Sequence, residues 1–447
     1  MYVAAPPPTD LQLLDTTSYE RLLEILSAPP DPRSRDRYLH WDKLRHLDPP
    51  IGMSSEDWWR KVKFERKSGL RPLPLTDASG APFRYGLPDQ VLRGLRHVDR
   101  RCSGEVAMEE VVTSDRQAGQ RFLVNSLMEE AIRSSQLEGA TTSRQAAKEL
   151  LRSGREPKNR SERMIVNNFS AMQFMRSEMG RRLTPELLLE LHRIVTEGTL
   201  DDPSAAGRLQ LPGEERVAVF DRDDGRPIHR PPAAEQLPRR MRLLCDFANE
   251  GEDGERFVHP VIRAILLHFW LAYDHPFLDG NGRTARILFY WSMSVSDYWL
   301  VEYLPISKIL REAPARYARS FLETETDEGD ATYFLIYQLQ VIERAIEDLY
   351  RYLKRRTAAV QKVEELIKGA DELNSRQVAL LSDALDNPGR SYSLGQHAKA
   401  HGVTHETSRS DLSRLVERDL LARRRVGREY VFEPPPDLSK RLKELAE

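Results

Sequence analysis

The side chains best suited to chemistry are concentrated in one short stretch, from His275 to Arg286, which reads HPFLDGNGRTAR. Its centre holds Gly280, Asn281 and Gly282, residue types that tolerate left-handed backbone conformations. Successive N–H groups in such a run can form a concave nest that binds anionic oxygens. The stretch therefore predicts a site for an anion.

The charged residues of the same stretch indicate what that anion is. Arg283 and Arg286 are three positions apart, so both guanidinium groups project to one side of a helix and can bind phosphate oxygens. We expect that helix to begin near Arg283 or Thr284, with the positive end of its dipole facing the same place. Asp279 would repel a bare polyphosphate, but its hard oxygens suit a Mg²⁺ that bridges the phosphates. His275 is then the group near the site that can accept a proton at neutral pH.

The stretch resembles the signature of the Fic family, which runs His, any, Phe, any, Asp or Glu, Gly, Asn, Gly, Arg, any, any, Arg. Every defined position is matched. The resemblance implies transfer of AMP from ATP to a Ser, Thr or Tyr hydroxyl of a protein, with release of pyrophosphate. It also implies these roles: general base for His275, Mg²⁺ ligand for Asp279, phosphate cradle for Gly280 to Gly282, and phosphate clamps for Arg283 and Arg286.

A second motif lies earlier in the chain. Ser134 to Gly139 reads SSQLEG, which resembles the Fic inhibitory motif of Ser or Thr, three residues, Glu, then Gly or Asn. The resemblance implies that Glu138 binds Arg286 and occupies the space of the γ-phosphate. It also implies that Ser134, on the same helix face, orients the carboxylate or caps the motif.

Several segments have to position these residues. Apolar residues at helical spacing from Val261 to Tyr273 predict a buried helix, which Pro276 brings to an end. Thr184 followed by Pro185 is a helix start signal, and the His192 that follows is interpreted as a core residue rather than a ligand. Gly207 to Pro232 predicts a β-hairpin that resembles the family's flap, beside which a target segment lies as an added strand.

Composition describes a globular protein with more than one domain. The chain has 447 residues, of which 40% are hydrophobic and 30% charged, and a formal net charge of −2. This charge gives no overall electrostatic reason for nucleic-acid or membrane binding. Cys102 and Cys245 match no metal spacing and fit a reducing compartment. The first residues lack the features of a signal peptide, so we expect a cytoplasmic protein that does not span a membrane.

The fold expected from these features and the resemblance is all-α, with a Fic-fold helical core and a small β-hairpin flap. We expect an N-terminal helical region at residues 1–104 and the Fic catalytic core at 105–370. The core would include the inhibitory helix, at about 120–140. After Leu373 the pattern of three helices and two strands resembles a winged helix-turn-helix at residues 371–447.

The C-terminal region also supplies candidate DNA contacts. One is on the third predicted helix, and four form a basic cluster in the predicted wing, where they could meet DNA phosphates: Arg409, Arg423, Arg424, Arg425 and Arg428. Winged helices also serve as protein-interaction modules, so the sequence leaves DNA and protein contact equally open.

Two other functions are compatible with the sequence. In one, the protein is a DNA-binding regulator whose Fic core senses nucleotide. In the other, Glu138 positions a water and the enzyme removes AMP from a modified target. The sequence does not fix the nucleotide base or the oligomeric state, for which a homodimer is one option. It also does not identify the target protein, for which the chain itself is one candidate.

Overall fold

The computed structural model describes residues 5–8, 19–29, 31, 33, 37–102, 116–216, 219–220, 227–251, 257–366, 373–387, 389–426 and 429–444. The chain forms two compact units. The first consists of Met1–Gly104 with Ser126–Ile346, and the second of Glu105–Asn125 with Glu347–Glu447.

The N-terminal part of the first unit combines helices with one β-hairpin. Its elements are α1 (Tyr19–Ser27), α2 (Trp41–Leu44), α3 (Ser55–Lys67), β1 (Arg71–Thr76), β2 (Pro82–Tyr85) and α4 (Asp89–Cys102). The two strands are antiparallel, as the turn residues between them predict. Trp58 and Trp59 of α3 are fully buried, so these tryptophans are core residues.

The remainder of the first unit is a helical array, which confirms the mostly helical fold expected from the sequence. Its helices are α5 (Arg116–Leu137), α6 (Arg144–Ser153), α7 (Arg160–Ser177), α8 (Pro185–Thr196), α9 (Leu237–Asn249), α10 (Pro260–Asp274), α11 (Asn281–Val295), α12 (Ile306–Glu312), α13 (Pro314–Thr326) and α14 (Thr332–Leu366). α5 and α14 each extend into the residues of the second unit.

Two adjacent helices, α10 and α11, form the centre of this array. Nearly every residue of both is buried, as their apolar composition predicts. α10 ends at Asp274, and the next residue, His275, has a left-handed backbone with φ of 45°. α11 begins at Asn281 after Gly280, whose φ is 83°. The predicted start near Arg283 or Thr284 is therefore wrong: a single left-handed glycine suffices to turn the chain, and Asn281 and Gly282 already belong to the helix.

Helices α12 and α13 are separate, although Ala313 is the one residue between them. The cause is Pro314, because the proline ring disfavours the α conformation in the residue before it.

The predicted flap is partly described. Strands β3 (Val219–Phe220) and β4 (Pro227–His229) pair antiparallel, with Val219 opposite His229. Val217 and Ala218, and the part of the predicted hairpin between the two strands, lie outside the described residues.

The second unit contains the helices and strands expected of its C-terminal part. In order they are α15 (Ser375–Asp386), β5 (Tyr392–Ser393), α16 (Leu394–His401), α17 (His405–Glu417), β6 (Ala422–Val426), β7 (Glu429–Glu433) and α18 (Leu438–Glu444). The strands form one antiparallel sheet in the order β5, β7, β6. Strand β5 and helix α18 were not anticipated from the sequence.

Within the described residues, no helix is both long enough and apolar enough to cross a membrane.

Candidate active site

The loop between α10 and α11 is closed by one side chain, that of Asn281. Its Oδ1 accepts a hydrogen bond from the Phe277 N–H at 2.9 Å, and its Nδ2 donates to the Phe277 carbonyl at 2.8 Å. These two contacts fix which way the amide points. Nδ2 also lies 3.2 Å from Nδ1 of His275, so the loop and the candidate base are held by the same residue.

His275 is placed where its neutral form is favoured. Burial lowers the pKa of its imidazole to about 4, and the nearby His229 and Arg216 act in the same direction. The carboxylates of Glu138 and Asp279 oppose the shift. His275 is therefore uncharged at neutral pH and able to accept a proton.

The backbone at the start of α11 can be approached closely at Gly280 and Gly282, because neither residue has a β-carbon. A β-carbon added to Gly280 would lie 2.7 Å from Cγ2 of Thr196, so the loop can pack against α8 only with glycine at this position. A β-carbon added to Gly282 would lie 2.1 Å from Oε1 of Glu138. The carboxylate of Glu138 thus lies directly over the helix N-terminus, where the N–H groups favour an anion.

The two motif arginines are fully buried and incompletely paired. Arg283 donates from Nη1 to the Val195 carbonyl at 3.1 Å. Its Nε and Nη2 and the Nη1 of Arg286 have no hydrogen-bond partner among the residues that the structure describes. Buried donors are normally satisfied, so three open guanidinium donors at one place indicate a site for an anionic ligand.

Arg286 is bound by Ser134 and Glu138 of the second motif. Its Nη2 donates to Oε1 of Glu138 at 2.8 Å, and its Nε donates to Oγ of Ser134 at 2.9 Å. Ser134 is at the end of α5, Glu138 follows the helix, and Gly139 turns the chain with φ of 100°. We expected Ser134 to orient the carboxylate or cap the motif, but the contact that the structure gives its hydroxyl is with the guanidinium, because both groups converge on Arg286.

Asp279 faces the same site with its side chain 38% exposed. Its carboxylate is 3.4 Å from Nη2 of Arg160 and 3.6 Å from Nη2 of Arg283. The described residues contain no cluster of three or more His, Cys, Asp or Glu side chains that could hold a metal ion. A single accessible carboxylate fits Mg²⁺ where phosphate oxygens and water supply the remaining ligands.

His192, predicted to be a core residue, supports the loop from α8. Its Nδ1 accepts from the Gly207 N–H at 3.1 Å, which leaves the proton on Nε2, and Nε2 donates to the Asp279 carbonyl at 2.9 Å. The ring also stacks on Phe277 with centroids 3.7 Å apart. Both ring nitrogens are therefore in hydrogen bonds, which agrees with the interpretation that His192 is not a ligand.

Arg216, which the motifs did not indicate, fixes the end of α10. It donates from Nη2 to the carbonyls of Asp274 at 2.7 Å and His275 at 3.1 Å, and from Nε to the Pro232 carbonyl at 2.8 Å. Helix-end carbonyls need such partners. Arg216 thus helps hold His275 in its left-handed conformation.

The candidate DNA-binding residues are in the second unit. Arg409 is exposed on α17, and Arg425 is exposed on β6. Arg423 lies over the ring of Tyr430 at 4.9 Å, and Arg424 is 2.7 Å from the carboxylate of Glu433. Arg428 lies outside the described residues.

The part of the chain that contains this site matches a known family. Residues 182–293, which span α8 to α11, match the model of the Fic/DOC family. The chain is 36% identical over 121 residues to a protein adenylyltransferase Fic from Nematostella vectensis, covering 26% of this chain and 25% of that protein. It is 28% identical over 231 residues to one from Drosophila willistoni, covering 51% and 41%.

A solved structure gives the same result for the fold. A Fic family protein from Desulfovibrio desulfuricans G20 superposes with a TM-score of 0.51 at 19% identity, covering 79% of this chain and 98% of that one. The chain spans between a quarter and about two fifths of the length of the curated relatives described above.

Proposed function

The chain contains a Fic/DOC family domain at residues 182–293, and from this premise we propose that it is a protein adenylyltransferase. It would move AMP from ATP onto a Ser, Thr or Tyr hydroxyl of a protein. The observation that carries the proposal is the meeting of three open guanidinium donors with a neutral buried imidazole. The names of the two curated relatives support the same activity.

The triphosphate would lie along the first turn of α11. There Arg283 and Arg286 offer their open donors, and the N–H groups of the first turn point toward developing negative charge. These groups are preorganised by burial, so they need little rearrangement when the reaction occurs.

The reaction itself is one displacement at the α-phosphorus. The target hydroxyl oxygen bonds to the α-phosphorus, the bond from that phosphorus to the bridging oxygen breaks, and pyrophosphate leaves. The hydroxyl proton passes to the imidazole of His275, which is neutral and can accept it. Such a base contributes about 10²–10⁴-fold to the rate.

Asp279 would hold a Mg²⁺ ion together with phosphate oxygens of the nucleotide. Its accessible carboxylate is the hard ligand that this ion prefers. When bound, the ion would neutralise phosphate charge. Arg160 and Arg283, which lie beside Asp279 in this structure, would then face the phosphates rather than the carboxylate.

Glu138 would restrain the enzyme. Its carboxylate lies on Gly282 and binds Arg286, so it competes with phosphate for both the helix N-terminus and the guanidinium. Its side chain is 32% exposed and follows the end of α5, so it can leave without unpacking the core. Activity would then depend on displacement of this side chain.

The target segment would lie beside the hairpin of β3 and β4. A hairpin strand next to an active site can bind an extended segment through main-chain hydrogen bonds, which fits targets of varied sequence. The chain itself is one such target if a hydroxyl reaches the site of a second copy.

The C-terminal unit would be a winged helix that contacts DNA. Arg409 on α17 and Arg423 and Arg425 on β6 are exposed, in positions corresponding to a recognition helix and a wing. Arg424 would contribute less, because Glu433 already neutralises it.

Intact-mass spectrometry tests the transferase proposal. Wild type, Glu138→Gly and His275→Asn would each be incubated with Mg²⁺ and one of ATP, GTP, CTP or UTP. We expect an AMP adduct on a hydroxyl residue with Glu138→Gly and ATP, and none with His275→Asn. Absence of a nucleotide adduct in Glu138→Gly with all four nucleotides and a panel of candidate targets would refute it. Loss of AMP from a premodified target would instead support the removal reaction.

A further inference from the structure

The flap carries a buried histidine whose two ring nitrogens both face acceptors. His229, the last residue of β4, has its Nδ1 2.8 Å from Oε2 of Glu325 on α13. Its Nε2 is 2.7 Å from the carbonyl oxygen of Tyr273 near the end of α10. A carbonyl oxygen cannot donate, and an ionised carboxylate cannot either. A neutral imidazole has one N–H, so it could satisfy one of the two contacts only.

We propose that His229 is an imidazolium that positions the flap for the reaction. It fastens β4 to α13 through Glu325 and to the last turn of α10 through Tyr273, which lies two positions before His275. Its two N–H groups donate to different elements, and the residue belongs to the strand beside which a target would bind. The catalytic consequence of this contact rests on the proposed function. The protonation state of His229 and its attachment of the flap do not depend on that function.

The surroundings of His229 favour the charged form. Burial lowers the pKa of its ring, but the hydrogen bond and charge of Glu325 raise it, as do the Tyr273 carbonyl and Asp274, and the net shift is upward. The Glu325 side chain is 21% exposed, so its charge costs less desolvation than that of a fully buried carboxylate.

The other charges around His229 are already accounted for. Asp274 is paired with Arg240 at 2.6 Å. Arg216 binds the carbonyl of Asp274 at the same helix end. His275, the residue that follows the helix, is neutral. Of the carboxylates that raise the pKa of His229, Glu325 is the one in direct contact with the ring.

The two histidines of this region therefore limit the reaction from opposite sides. His275 must be neutral, and its pKa of about 4 places that limit on the acid side. His229 must be charged, and because its folded pKa is raised, the anchor is present at low pH and is lost as pH rises through that pKa. The flap would then be released as the pH rises through the raised pKa of His229, while His275 remains neutral and able to accept a proton.

Nitrogen-15 NMR of the full chain tests the protonation state. With ¹⁵N-labelled histidine, and His229→Gln to assign the signal, we expect both ring nitrogens of His229 to carry a proton at pH 7. Glu325→Gln should convert the ring to the neutral form at the same pH. A His229 ring with one unprotonated nitrogen at pH 7 in wild type would overturn the proposal.

Amide hydrogen exchange tests the hold on the flap without any need for activity. In His229→Gln and Glu325→Gln, exchange in β3 and β4 should rise by about tenfold or more, as for loss of a hydrogen bond to a charged group. The matched control is His259→Gln, which removes a histidine 3.3 Å from Asp99 and outside the flap. Unchanged flap exchange in both variants would also overturn the proposal.

Kinetics in the Glu138→Gly background then test the catalytic consequence. His229→Gln should raise the KM for the target more than the KM for ATP and remove the alkaline limit of the pH profile, leaving the acid limit in place. If His229→Gln has the same two KM values and the same pH profile as Glu138→Gly alone, His229 does not position the flap for catalysis. If no variant transfers AMP, the proposed function fails, while NMR and exchange still decide the state of His229.

Discussion

The carboxylate of Glu138 lies on the backbone of Gly282, so closely that a β-carbon added there would be 2.1 Å from Oε1. The same oxygen accepts a hydrogen bond from Arg286 at 2.8 Å. An acidic side chain thus covers the helix N-terminus and the guanidinium that a phosphate would need.

Removal of that carboxylate should activate the enzyme. In Glu138→Gly, Arg286 and the first turn of α11 become available to the triphosphate, and misplacement by about 1 Å can cost 10²-fold in rate. We expect incorporation of labelled AMP to rise by up to about that factor. Glu156→Gly, at an exposed position, serves as the control.

Further variants test whether the gain acts through Arg286. Arg286→Ala should cancel it in the double variant, because the nucleotide is proposed to bind the freed guanidinium. Ser134→Ala should relieve inhibition partly, because the hydroxyl holds Arg286 at 2.9 Å. Equal incorporation by wild type and Glu138→Gly would mean that Glu138 is an ordinary surface residue.

Gly282→Ala tests whether displacement of the Glu138 carboxylate is sufficient by itself to raise activity. The added methyl group should expel the carboxylate, yet it would also lie 3.1 Å from Nη1 of Arg286, within the space for phosphate. We therefore expect no gain in AMP incorporation and weaker ATP binding by calorimetry than in Glu138→Gly. Activation equal to that of Glu138→Gly would show that phosphate does not approach Gly282.

His275→Asn should abolish transfer and preserve ATP binding. Asparagine tolerates the left-handed backbone at this position, where φ is 45°, so the loop should keep its shape while the base is lost. We expect incorporation to fall by about 10²–10⁴-fold. The Kd for ATP, measured alongside by calorimetry, should change little. Near-normal turnover would exclude His275 as the base.

Arg283→Met should stabilise the protein and weaken nucleotide binding. Arg283 is fully buried, and two of its donors have no hydrogen-bond partner among the described residues. An unsatisfied buried polar group costs about 1–3 kcal/mol, which a methionine of similar length avoids. Chemical denaturation without nucleotide should show a higher unfolding free energy, and the stabilisation by Mg-ATP should disappear. Lower stability without nucleotide would mean that the Val195 and Asp279 contacts dominate.

The full chain should bind duplex DNA with an affinity that falls as salt rises. Arg423→Ala with Arg425→Ala should weaken binding to all sequences alike, whereas Arg409→Ala should change sequence preference. Arg441→Ala, in α18 of the same unit, is the control. Fluorescence anisotropy at several salt concentrations measures each effect. No binding at low salt would leave protein interaction as the role of this unit.

Local signals were sufficient to predict much of the fold. Helix α8 begins at Pro185 with the Thr184 hydroxyl accepting from the Leu187 N–H, as the Thr-Pro pair indicates. The motif from His275 to Arg286 also identified side chains that the structure brings together. In both cases, neighbouring residues carry the information.

What could not be predicted depends on residues far apart in the chain. His229 and Glu325 are separated by 96 positions, and Arg216 reaches Asp274 across 58. No short pattern contains both members of either pair. The break between α12 and α13 at Ala313 is a different case, because Pro314, the next residue, is a local signal for it.

The order of Glu138 and Arg286 along the chain has a consequence during synthesis. Glu138 precedes Arg286 by 148 residues, so at roughly 5–20 residues per second its carboxylate leaves the ribosome roughly 7–30 s earlier. The anion site therefore assembles in the presence of the group that covers it, and a newborn chain has no interval in which the finished site stands open. A proteolytic cut that released the segment ending at Gly139 would remove Glu138 from the finished site, and this change would be permanent.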